Sequence, residues 1–192
     1  YNKKKVILFL TFQCYRKGAF ERIKNNYKFS QNENFYLGVK LVRGAYMEKE
    51  RQRAINLDYD DPIQSTKDHT DMEFDASLEY CINNIKKISL WIGSHNENSF
   101  LQAISLMKKF RIKENDNRIW FSQLFGMSDN ISYALADSNY NVIKLIPFGP
   151  VEKTIPYLIR RAKENSSVKG QTSRQFTLVK SEMKRRKILS LI

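Results

Sequence analysis

Short apolar runs alternate with longer stretches of helical periodicity along the whole chain. The runs occupy 6–13, 36–42, 89–93, 118–124 and 141–146. Most are continuously apolar rather than alternating, the pattern of strands covered on both faces. Between them lie amphipathic stretches at 18–27, 47–57, 71–88, 99–110, 129–137 and 151–163. In the third of these, Phe74, Leu78, Cys81 and Ile85 recur at helical spacing. Strand–helix alternation predicts parallel βαβ units and an α/β fold. The one loop-like stretch of any length is 58–66, which holds Pro62. No internal repeat or low-complexity segment interrupts the pattern.

Two parallel architectures fit such a pattern, an open doubly wound sheet and a closed (β/α)8 TIM-type barrel. A doubly wound nucleotide binder carries a glycine-rich turn after its first strand. Here Gln13 is followed by Cys-Tyr-Arg-Lys-Gly, which lacks the G-x-G-x-x-G spacing. Polar residues do recur at the ends of the strands: Gln13, Arg43-Gly44, Ser94-His95-Asn96 and Gln123. In a barrel those ends form the catalytic face. Five units are visible, whereas a full barrel has eight and about 250 residues. The expected architecture is the C-terminal five-eighths of a barrel over residues 1–167, followed by a basic amphipathic helix or tail over 168–192. A chain that opens on Tyr1 rather than Met reads as a fragment, with no targeting segment in view.

Composition narrows the function classes. At 42% hydrophobic and 12% aromatic, the 192 residues suffice for one sizeable core, which excludes disorder as the main state. The longest apolar run, Val6 to Phe12, is strand-sized and far below the ~20 residues of a membrane span. Cys14 and Cys81 are too few for a disulfide scaffold and fit a reducing compartment. The formal net charge of +13 is terminal: residues 1–28 carry +7, residues 153–192 carry +9, and the body between carries −3. A solvated lysine-rich surface, anionic lipid and an acidic partner all fit that distribution. Nucleic acid ranks last, because no zinc-knuckle, RNP or basic-zipper pattern accompanies the charge. Near the C-terminus, Arg174, Lys180, Lys184, Arg185, Arg186 and Lys187 interleave with Phe176, Leu178, Val179, Met183, Ile188 and Leu189. That mix reads as an amphipathic helix able to lie on an anionic membrane surface.

Three constellations carry chemistry. In Leu41-Val42-Arg43-Gly44-Ala45-Tyr46 a strand ends in an arginine, and a glycine then allows close backbone approach to a ligand. An ordinary βα turn with a surface arginine explains the hexapeptide equally well. His95 sits between Ser94 and Asn96 at a strand end. With only His69 for company and no ligand at metal spacing, the trio suits a polar cofactor better than a metal. No Ser-His-Asp or Cys-His nucleophile can be assembled. The third is Tyr157-Leu158-Ile159-Arg160-Arg161-Ala162-Lys163-Glu164, in which Tyr157, Arg160, Arg161 and Glu164 are three or four residues apart. On a helix they share adjoining faces, so Glu164 can hold Arg160 and two guanidinium forks can grip a carboxylate. A solvated Arg/Glu face is the plainer reading of the same residues.

Together, Val39–Tyr46, Ser94-His95-Asn96, Gln123-Leu124-Phe125-Gly126-Met127, Pro147-Phe148-Gly149-Pro150 and Tyr157–Arg161 resemble FAD-dependent proline dehydrogenase (proline oxidase). The resemblance runs from about Val6 to about Arg186. The Arg43 form of the hexapeptide and the Gly-Pro after Phe148 are similar to the eukaryotic, mitochondrial branch.

The resemblance implies a distorted (β/α)8 barrel with FAD across the C-terminal ends of its strands. It implies oxidation of L-proline to Δ1-pyrroline-5-carboxylate, with hydride transfer to flavin N5 and a quinone as electron acceptor. By motif match, Gln13 and Lys40 face the isoalloxazine, and Arg43, Gly44 and Ala45 hold the pyrophosphate side. Thr66 and Lys67 reach the cofactor from their loop, Ser94, His95 and Asn96 continue the lining, and Gln123 lies nearby. Arg160 and Arg161 bind the substrate carboxylate, with Glu164 pairing an arginine. Tyr46, Leu124 and Tyr157 wall the ring, and Tyr46 joins the arginines at the catalytic centre.

Two departures follow from the same comparison. The family's catalytic lysine and aspartate fall on strands before residue 1. Leu145 stands where proline-specific members place a tyrosine, whose hydroxyl lies near the ring carbon that is hydroxylated in 4-hydroxyproline. The expected substrate is therefore L-proline, with 4-hydroxyproline as a second candidate. Lys40 replaces the arginine of bacterial members, as in other eukaryotic ones. The alternative from a different class is an incomplete, non-catalytic fragment whose basic ends bind a membrane surface or an acidic partner. Another barrel flavoenzyme, such as a folate reductase, leaves the Tyr157-to-Arg161 grip unexplained.

Overall fold

The computed structural model describes residues 1–166 and 171–185, with side chains described through residue 161, at 177–178 and at 180–185. Its elements are β1 (Leu10–Gln13), α1 (Ala19–Asn32), β2 (Leu37–Val42), α2 (Met47–Asn56), α3 (Lys67–Asn83), β3 (Ile88–Gly93), α4 (Glu97–Lys109), β4 (Ile119–Leu124), α5 (Asp129–Asp137), β5 (Val142–Leu145), α6 (Val151–Ser166) and α7 (Gln171–Arg185). Every strand pairing is parallel, and the spatial order β1-β2-β3-β4-β5 follows the chain without a reversal. A doubly wound sheet needs a switch in strand order. This sheet has none, so each connection steps the same way, as in a singly wound barrel wall.

Strand parity separates two faces. Leu37, Val39 and Leu41 of β2, Ile88, Leu90 and Ile92 of β3, and Ile119 and Phe121 of β4 are buried. They form one core with Ile23 of α1, Phe74, Leu78 and Ile82 of α3, and Phe100 and Met107 of α4. Each such side chain contributes roughly 1.5–3 kcal/mol on burial. Phe121 stands edge-on to Phe100 at 5.6 Å and to Tyr140 at 5.5 Å. The opposite face carries registered rows: Thr11, Lys40, Trp91 and Trp120, then Gln13, Val42, Gly93 and Ser122, then Leu124 and Leu145. Lys40, Val42, Trp91 and Gly93 are only partly buried. The strands are thus mostly apolar, but one face carries polar side chains and looks into a cleft rather than a second packed layer.

Element boundaries shift for local reasons. The first strand is shorter than the apolar run 6–13, because the Asn2 side chain takes the backbone N–H groups of Ile7 and Leu8 at 2.9 Å each. The chain here also crosses over Gly38, where any Cβ would meet the Leu8 carbonyl at 2.3 Å. Helix α3 starts four residues before the amphipathic stretch 71–88, since the Thr66 side chain accepts the N–H of His69 and caps it. Asn96 caps α4 in the same manner through the N–H of Asn98. The loop ahead of α3 is stitched to the β1–α1 turn by Lys17 N–H to Pro62 O and Gln64 N–H to Tyr15 O. Cys14 and Cys81 are free and buried. Within the 168–192 segment, α7 is helical, while residues 167–170 and 186–192, including Arg186, Lys187, Ile188 and Leu189, lie outside the described residues. No helix among the described residues is long and apolar enough to cross a membrane.

Candidate active site

The C-terminal ends of the five strands and helix α6 enclose a cleft of about 450 Å³. That volume lies within the range of small-molecule and cofactor sites, about 300–1,000 Å³. Among the described residues its lining contains four cationic side chains, Lys40, Arg43, Lys67 and Arg161, and no carboxylate. The electrostatics therefore favour an anionic ligand.

Most of these groups are held before any ligand arrives. Arg43 ends β2 with its guanidinium over the Phe74 ring at 4.3 Å. Its Nε donates to Asp71 at 2.5 Å, and Nη1 donates to the Ser94 hydroxyl at 3.3 Å. Lys67, one helical turn before Asp71, donates to the other oxygen of the same carboxylate. Burial works to raise the pKa of Asp71, but hydrogen bonds and charge from Lys67 and Arg43 outweigh it, and the carboxyl is held below the usual range. Lys40 stands over Trp91 at 4.5 Å, and burial lowers its pKa. Gln13 accepts the Ala45 N–H through Oε1 at 3.2 Å. His95 shares a 2.9 Å hydrogen bond through Nδ1 with the buried Ser128 hydroxyl. Burial, then the charges of Lys144 and Arg161, push its pKa down to about 4. The ring is neutral at physiological pH.

Across the cleft, Arg161 of α6 donates to the Ala45 carbonyl and lies 5.8 Å from the Tyr46 ring and 5.5 Å from the Tyr157 ring. Leu124 and Leu145, partners in the β4–β5 register, add apolar wall. Of the sequence-selected residues, Gln13, Lys40, Arg43, Gly44, Ala45, Tyr46, Lys67, Ser94, His95, Asn96, Gln123, Leu124, Leu145, Tyr157 and Arg161 all line this one cleft.

Four expectations are corrected or bounded. Gly44 lines the cleft, but the space its missing side chain leaves is taken: a Cβ there would fall 1.4 Å from Tyr15 Cδ1, so the Tyr15 ring fills it. Thr66 is an exposed helix cap outside the lining, its hydroxyl engaged by His69 N–H, and Lys67 is the first residue of α3 rather than part of a loop. Arg160 is not among the lining residues, so of the α6 pair Arg161 is the one that faces the cleft. The Glu164 side chain lies outside the described ones.

Sequence reading missed Asp71, Ser128, Ser132 and Lys144. The i,i+4 pair Lys67–Asp71 was the available signal for the first. Nothing local marked the others, because the side chains they bond, His95, Gln123 and each other, lie 9 to 33 residues away. Among the described residues no cluster of three or more His, Cys, Asp or Glu is placed to hold a metal.

The proline dehydrogenase family model matches residues 1–174. The chain belongs to the proline dehydrogenase family. It is 41% identical over 196 residues to mitochondrial proline dehydrogenase 1 of Drosophila melanogaster, covering 97% of this chain and 29% of that protein. It is 36% identical over 189 residues to hydroxyproline dehydrogenase of Xenopus laevis, covering 96% of this chain and 41% of that protein. The chain thus spans roughly a third of the length of the curated relatives it matches. Among solved structures, proline utilization A of Bdellovibrio bacteriovorus, inactivated by N-propargylglycine, superposes with a TM-score of 0.79 at 27% identity, over 88% of this chain and 17% of that one. The unreversed parallel sheet and this likeness make the proline dehydrogenase fold of the chain TIM-barrel-like.

A flavin suits the proline dehydrogenase cleft on its own residues. Arg43 and Lys67, both set by Asp71, present positive charge at the strand ends. Gln123 is buried, and its Nε2 has no hydrogen-bond partner while the residue lines the cleft. An orphaned buried donor beside cationic groups fits an anionic ligand with ring acceptors, as a phosphorylated flavin is.

Proposed function

We propose that this chain is the C-terminal five-eighths of a (β/α)8 barrel in a mitochondrial, FAD-dependent proline dehydrogenase that oxidises L-proline to Δ1-pyrroline-5-carboxylate. The observation that carries the reading is the cleft at the strand ends lined by Lys40, Arg43, Lys67 and Arg161, with no carboxylate among the described lining residues. When bound, the flavin supplies the hydride acceptor for oxidation of the substrate C–N bond. Arg43 and Lys67 would hold its pyrophosphate side, and Gln13, Lys40, Ser94, His95, Asn96 and Gln123 would line the rest of it.

The protein's own part is orientation. Arg161, assisted by Arg160, would pair with the substrate carboxylate, and its stacking on Tyr46 and Tyr157 fixes the fork before substrate enters. Tyr46, Tyr157, Leu124 and Leu145 would enclose the ring and exclude water. Neutral His95 is a hydrogen-bonding group rather than a counter-charge for the substrate. Hydroxyproline dehydrogenases stand beside proline dehydrogenases among the relatives, so 4-hydroxyproline is the second substrate candidate. A quinone acceptor and peripheral attachment through the basic C-terminal helix complete the proposal.

Full-length protein should be yellow, and anaerobic L-proline should bleach its flavin absorbance. Colourless protein that gains no flavin on reconstitution overturns the cofactor assignment. Flavin-bearing protein that neither L-proline nor 4-hydroxyproline bleaches overturns the substrate assignment.

A further inference from the structure

Behind the strand ends, a polar chain runs from the partly buried Lys144 of β5 through the buried Ser132 of α5 to the cleft. Lys144 of β5 donates to the Met127 carbonyl and to the Ser132 hydroxyl oxygen, each at 2.9 Å, and pairs with Asp129 at 2.7 Å. Ser132, itself buried, is 2.7 Å from Gln123 Oε1 and 3.1 Å from the Ser128 carbonyl. With an ammonium hydrogen on its oxygen, Ser132 has one hydrogen to give. The 2.7 Å separation is that of an O–H···O bond, shorter than the roughly 2.9–3.0 Å of N–H···O. That length assigns Oε1 to the serine side and Nε2 to the other. Gln123 is 1% exposed, lines the cleft, and its Nε2 has no partner.

We infer that Ser132 and Lys144 are positioning residues, which lock the Gln123 amide so that its Nε2–H is a fixed donor to the ring system of the bound cofactor. The inference rests on the flavin reading of the cleft given above. A donor aimed at a ring acceptor stabilises the electron-rich reduced ring more than the oxidised one, so the chain acts on redox poise. Its action is indirect: neither Ser132 nor Lys144 lines the cleft.

The test is the flavin midpoint potential of the holoenzyme in Ser132→Ala, Lys144→Met, Gln123→Leu and the Ser132→Ala/Gln123→Leu double variant. Each single change should disfavour the reduced state about tenfold, a shift of about 30 mV to lower potential for a two-electron couple. The double variant should shift no further than Gln123→Leu, because both changes remove the same bond. Lys144→Met reads the same link from its far end should Ser132→Ala fold poorly. A flavin-bearing Ser132→Ala or Lys144→Met protein with wild-type potential overturns the positioning role, as does a Ser132→Ala shift that persists in full when residue 123 is leucine. A wild-type protein without flavin overturns instead the cofactor reading beneath it.

Discussion

Arg161 donates to the carbonyl oxygen of Ala45, a residue 116 positions earlier in the chain. This contact ties α6 to the turn after β2 and closes one side of the cleft with a charged, partly buried fork. A substrate carboxylate offers that fork a stronger partner than a neutral carbonyl does. Arg161→Met in the full-length enzyme should therefore raise the KM for proline by roughly 30- to several-thousand-fold, for a loss of about 2–5 kcal/mol. Flavin content should change little. Arg160→Met should raise KM less, since Arg160 lies outside the lining. Wild-type KM in Arg161→Met would remove the carboxylate role.

Asp71 is the hinge of a three-residue charge cluster, with Arg43 on one oxygen and Lys67 on the other. Its side chain and that of Arg43 are about a quarter exposed, so solvent screens the pair in part. Asp71→Asn should weaken flavin binding by about tenfold, from loss of a charge-assisted bond worth about 1–2 kcal/mol after that discount. Equilibrium dialysis of flavin against the variant checks this, and unchanged affinity would mean Arg43 is set by Phe74 and Ser94 alone.

How much of this was legible beforehand depends on the range of the interaction. The barrel-like order was readable because Gln13, Arg43, Ser94 and Gln123 each lie at or just past the end of an apolar run, which puts polar groups at one end of a parallel sheet. The Lys67–Asp71 pair was readable in principle from helical spacing. The Gly44–Tyr15 contact was not: no local pattern reveals that a tyrosine from the preceding β1–α1 turn occupies the face of that glycine. Ser132 and Lys144 were equally hidden, because a polar chain of this kind is defined by its three-dimensional partners and not by spacing.

Two glycines with positive φ make that distinction measurable. Gly126 has φ +76° and nothing within 4 Å of an added Cβ, so Gly126→Ala should cost only about 1–2 kcal/mol for the left-handed backbone. Gly44 has φ +137°, and its Cβ would overlap the Tyr15 ring at 1.4 Å. Gly44→Ala should therefore lower the thermal midpoint well beyond Gly126→Ala and release flavin. Equal midpoints would show that the Tyr15 ring moves aside freely.

The pH dependence follows from His95. Its pKa is lowered from 6.5 to about 4 by burial and by the charges of Lys144 and Arg161. Between those values the unfolded chain binds a proton that the folded protein does not. Stability should thus be lost as pH falls from about 6.5 to about 4, by on the order of 3 kcal/mol, and level off below. Thermal unfolding of wild type and His95→Gln across that window isolates the effect, because other groups titrate in both. The wild-type midpoint should fall faster; parallel curves would show that His95 titrates normally.

Leu145 is the position at which substrate scope can be tested. It lies opposite Leu124 in the β4–β5 register and lines the cleft, so the wall here is apolar. An apolar pocket rejects an added hydroxyl only weakly, by about a hundredfold, whereas a site that hydrogen-bonds a hydroxyl discriminates strongly. A tyrosine at this position would crowd a ring hydroxyl; leucine relieves the crowding without offering the hydroxyl a partner. L-Proline should remain the better substrate, with trans-4-hydroxy-L-proline excluded less strongly than by a tyrosine-bearing relative. Leu145→Tyr should widen the preference for proline, read as the ratio of kcat/KM for the two substrates in the full-length enzyme. A ratio that does not move would place the hydroxylated ring carbon against another part of the cleft, and Tyr46 and Tyr157 would then be the walls to change.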